Sequence, residues 1–252
     1  MLLGLGTVDI SGLGANNVTL TDAGGVTVAM ANAVAAYTTG VVTATLAETN
    51  LSDLSGLAET NNAYAVSIAD TSIDAAALNA LDAKTTGTIT LTNAATASLV
   101  GDYSAVNTAL TAFTNLQTRP VTLTGTVTAA QADTIANLTS GIVTATVAAD
   151  TAAALSTALS HASATDALSL TLSDNSVAVA DLNTLDGKTS VAINASGVTE
   201  VTATNVQIGA LSTAYASSGI SGLGNEAITI TGGSISAADA NTAVGLTNGV
   251  VA

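Results

Sequence analysis

The chain has 252 residues, a formal net charge of −15, only three Lys or Arg side chains and no cysteine. That length holds one large domain or two ordinary ones. So few cations exclude nucleic acid and anionic membrane surfaces as partners, and the missing cysteines exclude disulfides and thiolate metal sites.

In chain order, MLLGLG (residues 1–6) has no basic region and no adequate apolar stretch, so no signal peptide is read there. A first strand begins near Val18, in the phrase GTVDISGLGANNVTLT (6–21), which returns as SGISGLGNEAITIT (218–231). Residues 23–47 are uncharged, but Gly, Asn32 and repeated Thr interrupt them, and their later copies carry Asp133 and Asp239. They lack the Leu/Ile/Phe density of a membrane span, and five aromatics cannot build the girdles of a membrane barrel.

Strand-like runs then start near 42, 65, 88, 121, 142, 167, 191 and 227, with period-two alternation such as Val143, Ala145, Val147 against Thr144, Thr146. Between them lie short helical stretches. In TAAQADTIANLTSG, Thr128 is placed as the N-cap, Ala129, Ala132, Ile135, Ala136 and Leu138 share a face, and Gly141 follows the end. In IDAAALNALDAKTTG, Asp74 is the cap and Ala77, Leu78 and Leu81 face inward. Helices of about ten residues are marginal alone and need packing. VAINASGVTEVTAT (191–204) reads as two adjacent strands.

These elements recur as blocks spanning 18–120, 121–226 and, in part, 227–252. Strand, short helix and return strand at a pitch of about 23 residues describe a right-handed α/β solenoid of parallel strands. Nine or ten coils spaced by about 4.8 Å would make a rod of roughly 45 Å. An all-β solenoid is the alternative fold. The L-x-x-L-x-L-x-x-N signature of leucine-rich repeats is absent. Neither terminal stretch carries a polar cap, so the expected partners are copies of the chain or neighbouring repeats, end to end.

Four features invite a chemical reading. Gly187-Lys188-Thr189 resembles the tail of a P-loop, but the first glycine of that motif would fall on Leu182, and a helix precedes and a strand follows it, the reverse of the required order. The equivalent Ala83-Lys84-Thr85 lacks the glycine, so the reading is a helix end with Lys near its negative pole. His161, with Asp166 five residues on, has no partner for a metal site; its counterpart in the first block falls near Thr60 or Asn61, and it reads as a loop residue. Asp70, Asp74, Asp150, Asp166 and Asp174 either cap helices and turns or, stacked across coils, offer oxygens to Ca²⁺. Thr43, Thr45, Thr90, Thr92, Thr122, Thr124, Thr144, Thr146, Thr229 and Thr231 form a candidate exposed face for a ligand, a glycan or ice, interrupted at Ser67/Ala69 and Ser169/Thr171.

LNTLDGKTS, YASSGISGLGNE and AITIT resemble repeats of very large, Cys-free surface or secreted proteins of marine bacteria and cyanobacteria, grouped as beta-strand-repeat proteins and sometimes accompanied by calcium-binding RTX segments. The resemblance covers essentially the whole chain and implies an extracellular, structural or adhesive module: spacer, adhesin stalk, surface-layer or filament component. The RTX pattern G-G-x-G-x-D is absent at Gly24-Gly25 and Gly232-Gly233, so no calcium site is carried over by that route. Nothing departs from the repeat as a catalytic cleft would, and a non-enzyme without cofactor is expected.

Overall fold

The computed structural model describes residues 12–93 and 97–252. The MLLGLG segment and residues 6–11 of the first loop repeat lie outside the described residues. Two compact units divide at Arg119/Pro120.

The first unit runs β1 (Val18–Thr19), α1 (Val28–Ala35), β2 (Val42–Thr45), α2 (Leu51–Leu54), β3 (Ala63–Ile68), β4 (Ser72–Asp74), α3 (Ala75–Asp82), β5 (Ile89–Leu91), β6 (Ser98–Gly101) and α4 (Tyr103–Ala112), closing with a 3₁₀ turn at Thr114–Leu116. Its strands pair in parallel in the order β1-β2-β3-β5, and β4 pairs with β6. The second unit runs β7 (Val121–Val127), α5 (Ala129–Leu138), β8 (Val143–Val147), α6 (Ala152–Ala158), β9 (Ala167–Ser169), β10 (Ser176–Ala178), α7 (Val179–Asp186), β11 (Ile193–Asn194), β12 (Glu200–Thr204), α8 (Ile208–Ala216), β13 (Ile220–Ser221), β14 (Ala227–Thr231) and α9 (Ala237–Val244). Here β7-β8-β9, β10-β12-β14 and β11-β13 pair in parallel.

The protein is thus a mixed α/β structure of parallel strands and short helices, which sets aside the all-β alternative. Each paired residue meets another 20 to 27 positions along the chain, as in Thr43 with Ala63 and Thr204 with Thr231. Only a crossover connection permits parallel pairing of successive strands, and here a short helix supplies it.

Alternation places the core. In β8, Val143, Ala145 and Val147 are buried and Thr144 and Thr146 exposed; β2 repeats this with Val42 and Ala44 inside. Helices contribute a narrow stripe: Ala132 and Ile135 from α5, with Ala129, Ala136 and Leu138 only half-buried. In α3 the buried set is Ala75, Leu78 and Leu81, and Ala77 is half-buried, so the stripe starts directly after the cap. Thr128 caps α5 in a reciprocal box with Gln131, and Asp74 accepts the Ala77 N–H at the start of α3, both as the sequence predicts.

Strands at Ser72–Asp74, Ser98–Gly101, Ser176–Ala178 and Ile220–Ser221 were not expected. Three of them have two or three residues, too few to show an alternation, and Ser98–Gly101 does not alternate, with only Leu99 buried. In β7 the register with β8 shifts between Thr122 and Thr126, around Gly125 at φ 75°. A left-handed residue there turns the chain toward the helix cap, which glycine does without a Cβ penalty.

Candidate functional site

The Gly-Lys-Thr stretch follows α7, with Gly187 as its C-cap at φ −76°, ψ −2°. Lys188 Nζ donates to the Ser160 carbonyl at 3.4 Å, and Lys84 donates to the Ala58 carbonyl at 3.1 Å. Each lysine caps a carbonyl of the preceding strand–helix segment. Thr189 is buried; its hydroxyl accepts the N–H groups of Leu168 and Val191, both at 3.0 Å, and donates to the Leu168 carbonyl at 2.7 Å. Thr85 does the same with Tyr64 N–H (2.8 Å), Gly87 N–H (2.9 Å) and the Tyr64 carbonyl (2.8 Å). The hydroxyl that a P-loop would turn toward a metal–phosphate group is here committed to backbone.

This tie is general and was missed from the sequence. Thr38 accepts Gly40 N–H and donates to the Asn16 carbonyl at 2.6 Å; Thr247 accepts Gly249 N–H and donates to the Glu226 carbonyl at 2.7 Å. Glycine two residues on is required by close approach: a Cβ on Gly40 would lie 2.3 Å from the Asn16 carbonyl oxygen, and one on Gly249 would lie 2.2 Å from that of Glu226. The signal was present as Thr/Ser-x-Gly after α1, α3, α5, α8 and α9 (Thr38, Thr85, Thr139, Ser217, Thr247), with Val191 in the glycine's place after Thr189; Asn62 and Asp166 stand before the strands that follow α2 and α6.

His161 lies in the loop after α6. Its Nδ1 is 2.8 Å from Asp133 Oδ2, its backbone N–H donates to Asp133 Oδ1 at 2.6 Å, and Ser160 Oγ is 3.1 Å from both Asp133 Oδ2 and His161 Nδ1. A nucleophilic triad places serine on the ring nitrogen opposite the carboxylate. Here serine and carboxylate crowd one nitrogen, which makes a clasp rather than a proton relay; Asp166 is not part of it. Burial pulls the Asp133 carboxyl upward, but hydrogen bonds from His161 and Ser160 outweigh it and hold it below the usual carboxylate range. The first unit has the same clasp without histidine: Asn32 donates to the Gly56 carbonyl at 2.8 Å and accepts Ala58 N–H at 3.0 Å. The counterpart of His161 is therefore Ala58, not Thr60 or Asn61, because the shared partner is a backbone N–H.

The five carboxylates considered for calcium all accept backbone N–H groups: Asp70 from Leu51, Asp74 from Ala77, Asp150 from Thr151, Asp166 from Val143 and Ser163, Asp174 from Ala152. Among the described residues no three His, Cys, Asp or Glu side chains gather into a metal-ligating group. Elsewhere, buried Glu226 accepts from Gly224 and Asn225 N–H and from the Tyr215 hydroxyl, beside a cavity of about 330 Å³ lined by Ala214, Ile220, Leu223 and Leu246. Burial, then the Glu226 carboxylate, pushes the Tyr215 phenol well above its ordinary range.

The ten candidate threonines point away from the core; Thr122 and Thr229 are half-buried and the others exposed. The register brings Thr122 beside Thr144, and Thr229 and Thr231 beside Thr202 and Thr204. Thr43 and Thr45 meet Ala63 and Ala65 rather than Ser67/Ala69; Ser67 meets Thr90. Thr124 falls in the register shift and so out of rank. Small Ala63, Ala65 and Gly87 leave a shallow trough of about 560 Å³ bordered by Thr19, Thr43 and Thr88. No protein-family model, curated protein or solved structure matches the chain.

Proposed function

We propose that this chain is a structural repeat module of a large extracellular or cell-surface protein, a right-handed solenoid of about 23 residues per coil whose work is mechanical and not catalytic. The observation that carries this reading is the parallel register repeating every 20 to 27 residues within each unit, with the same hydroxyl tie at the equivalent ends of α3 and α7. Backbone pairing and these ties transmit load along the stacking direction. The five aspartates that could hold a cation and the tie hydroxyls of Thr85 and Thr189 are engaged with backbone groups.

Inserting a second copy of residues 121–226 between 226 and 227 tests it. A solenoid stays folded, and the distance between labels flanking the insert grows by about 4.8 Å per added strand. An insert that unfolds the chain, or leaves that distance unchanged, overturns the solenoid; absence of the parent protein from the surface of intact producing cells overturns the location.

A further inference from the structure

The inference rests on the repeat reading and concerns the outer face of residues 227–252. These residues rebuild the start of each block. Ser236 caps α9 through Asp239 N–H as Thr128 caps α5 through Gln131 N–H, and Thr247 ties Gly249 as Thr139 ties Gly141. Asn241 thereby stands where Asn32 and Asp133 stand, and Val251 where Val42 and Val143 stand.

In both earlier copies this face is covered, and the covering contacts agree. Val42 N–H donates to Asn62 Oδ1 and Val143 N–H to Asp166 Oδ1, each at 2.8 Å, from an amide or acid directly before the next strand. The strands run on in parallel, Thr43 beside Ala63 and Thr144 beside Ala167. Asn32 and Asp133 clasp the incoming loop at Gly56–Ala58 and Ser160–His161.

On 227–252 the same groups have no partner among the described residues: neither Val251 N–H nor the Asn241 side chain is bonded. Val250 is 72% and Val244 59% exposed, and Ala243 is the one buried residue of α9. We propose that this face is a docking surface for one further coil of the same repeat, whose Asn or Asp before its strand accepts Val251 N–H and whose helix-to-strand loop is clasped by Asn241. The occupant is of the 44–70 kind. Asn241 carries both a donor and an acceptor, as Asn32 does, so it fits a bare backbone carbonyl and N–H; the Ser–His pair suits a carboxylate, which can only accept.

The test appends a copy of residues 44–70 directly after Ala252. The extended chain is expected to unfold in one transition a few degrees higher, with exchange of the Val251 amide slowed about tenfold or more. Asn241→Ala should lower the melting temperature of the extended chain and leave that of the 252-residue chain unchanged. A scrambled extension of the same composition should give neither effect. Unchanged melting and exchange in the extended chain, or equal gains from the scrambled one, overturn the proposal while leaving the internal-insertion result to judge the solenoid itself.

Discussion

Gly187 is the residue that makes the Gly-Lys-Thr stretch look like a nucleotide motif, and its geometry shows that glycine is not needed there. Its φ is −76°, and an added Cβ would lie 3.4 Å from the Thr184 carbonyl, an ordinary contact; Ala83 occupies the same place after α3. Gly187→Ala is expected to be neutral or to stabilise by up to about 1 kcal/mol by restricting the unfolded chain, read as the urea midpoint; a marked loss would show that the Thr184 carbonyl does not tolerate a methyl group beside it. At the neighbouring clasp, Asp133 sits below its ordinary value of 3.8. A depressed carboxyl contributes stability above its unfolded value and loses it as pH falls through the folded value. Melting temperature should therefore drop as pH is lowered from about 4, and Asp133→Asn, which copies Asn32, should flatten that part of the profile. A parallel profile in the variant would show that the clasp does not titrate with folding.

At the scale of elements, the two blocks supply their own controls. Asp74 caps α3 with its carboxylate on Ala77 N–H, whereas the N-cap of α7 is Ala178, which offers no side-chain acceptor despite an extended backbone at φ −77°, ψ 134°. Ala178→Asp should add the missing cap and stabilise the chain by about 0.5–2 kcal/mol, measured by denaturant unfolding; no gain would mean that the nearby Asp181 and Glu200 oppose the new charge. These caps were legible before any coordinates, because Thr or Asp ahead of an Ala/Leu stripe is a local signal, and so were the strands with four or more alternating residues. The hydroxyl ties were not. They depend on which strand lies beside Thr85 or Thr189, and a Thr-x-Gly pattern in a threonine-rich chain does not announce a buried bond to a residue twenty positions back. The threonine face was half legible for the same reason: alternation gives the side, but only the register places Ala63 and Ala65 beside Thr43 and Thr45.

At the scale of the whole molecule, a net charge of −15 with three cations sets up self-repulsion that favours solubility and opposes compactness. The fold disposes of much of it locally, by aiming carboxylates at backbone N–H groups at helix starts, as Glu48 does at Val28, Asp70 at Leu51 and Asp174 at Ala152. Such charge-assisted bonds are strong, and each offsets part of the negative charge that would draw a cation to these oxygens. The remaining repulsion is long-range and answers to ionic strength rather than to ion identity. Melting temperature is therefore expected to rise smoothly with added salt. CaCl₂ and MgCl₂ at equal ionic strength should act alike, and EDTA should have no effect in a low-salt buffer. A rise specific to Ca²⁺, saturating at low concentration and reversed by EDTA, would instead show that these carboxylates form a true cation site as well as capping helices and turns.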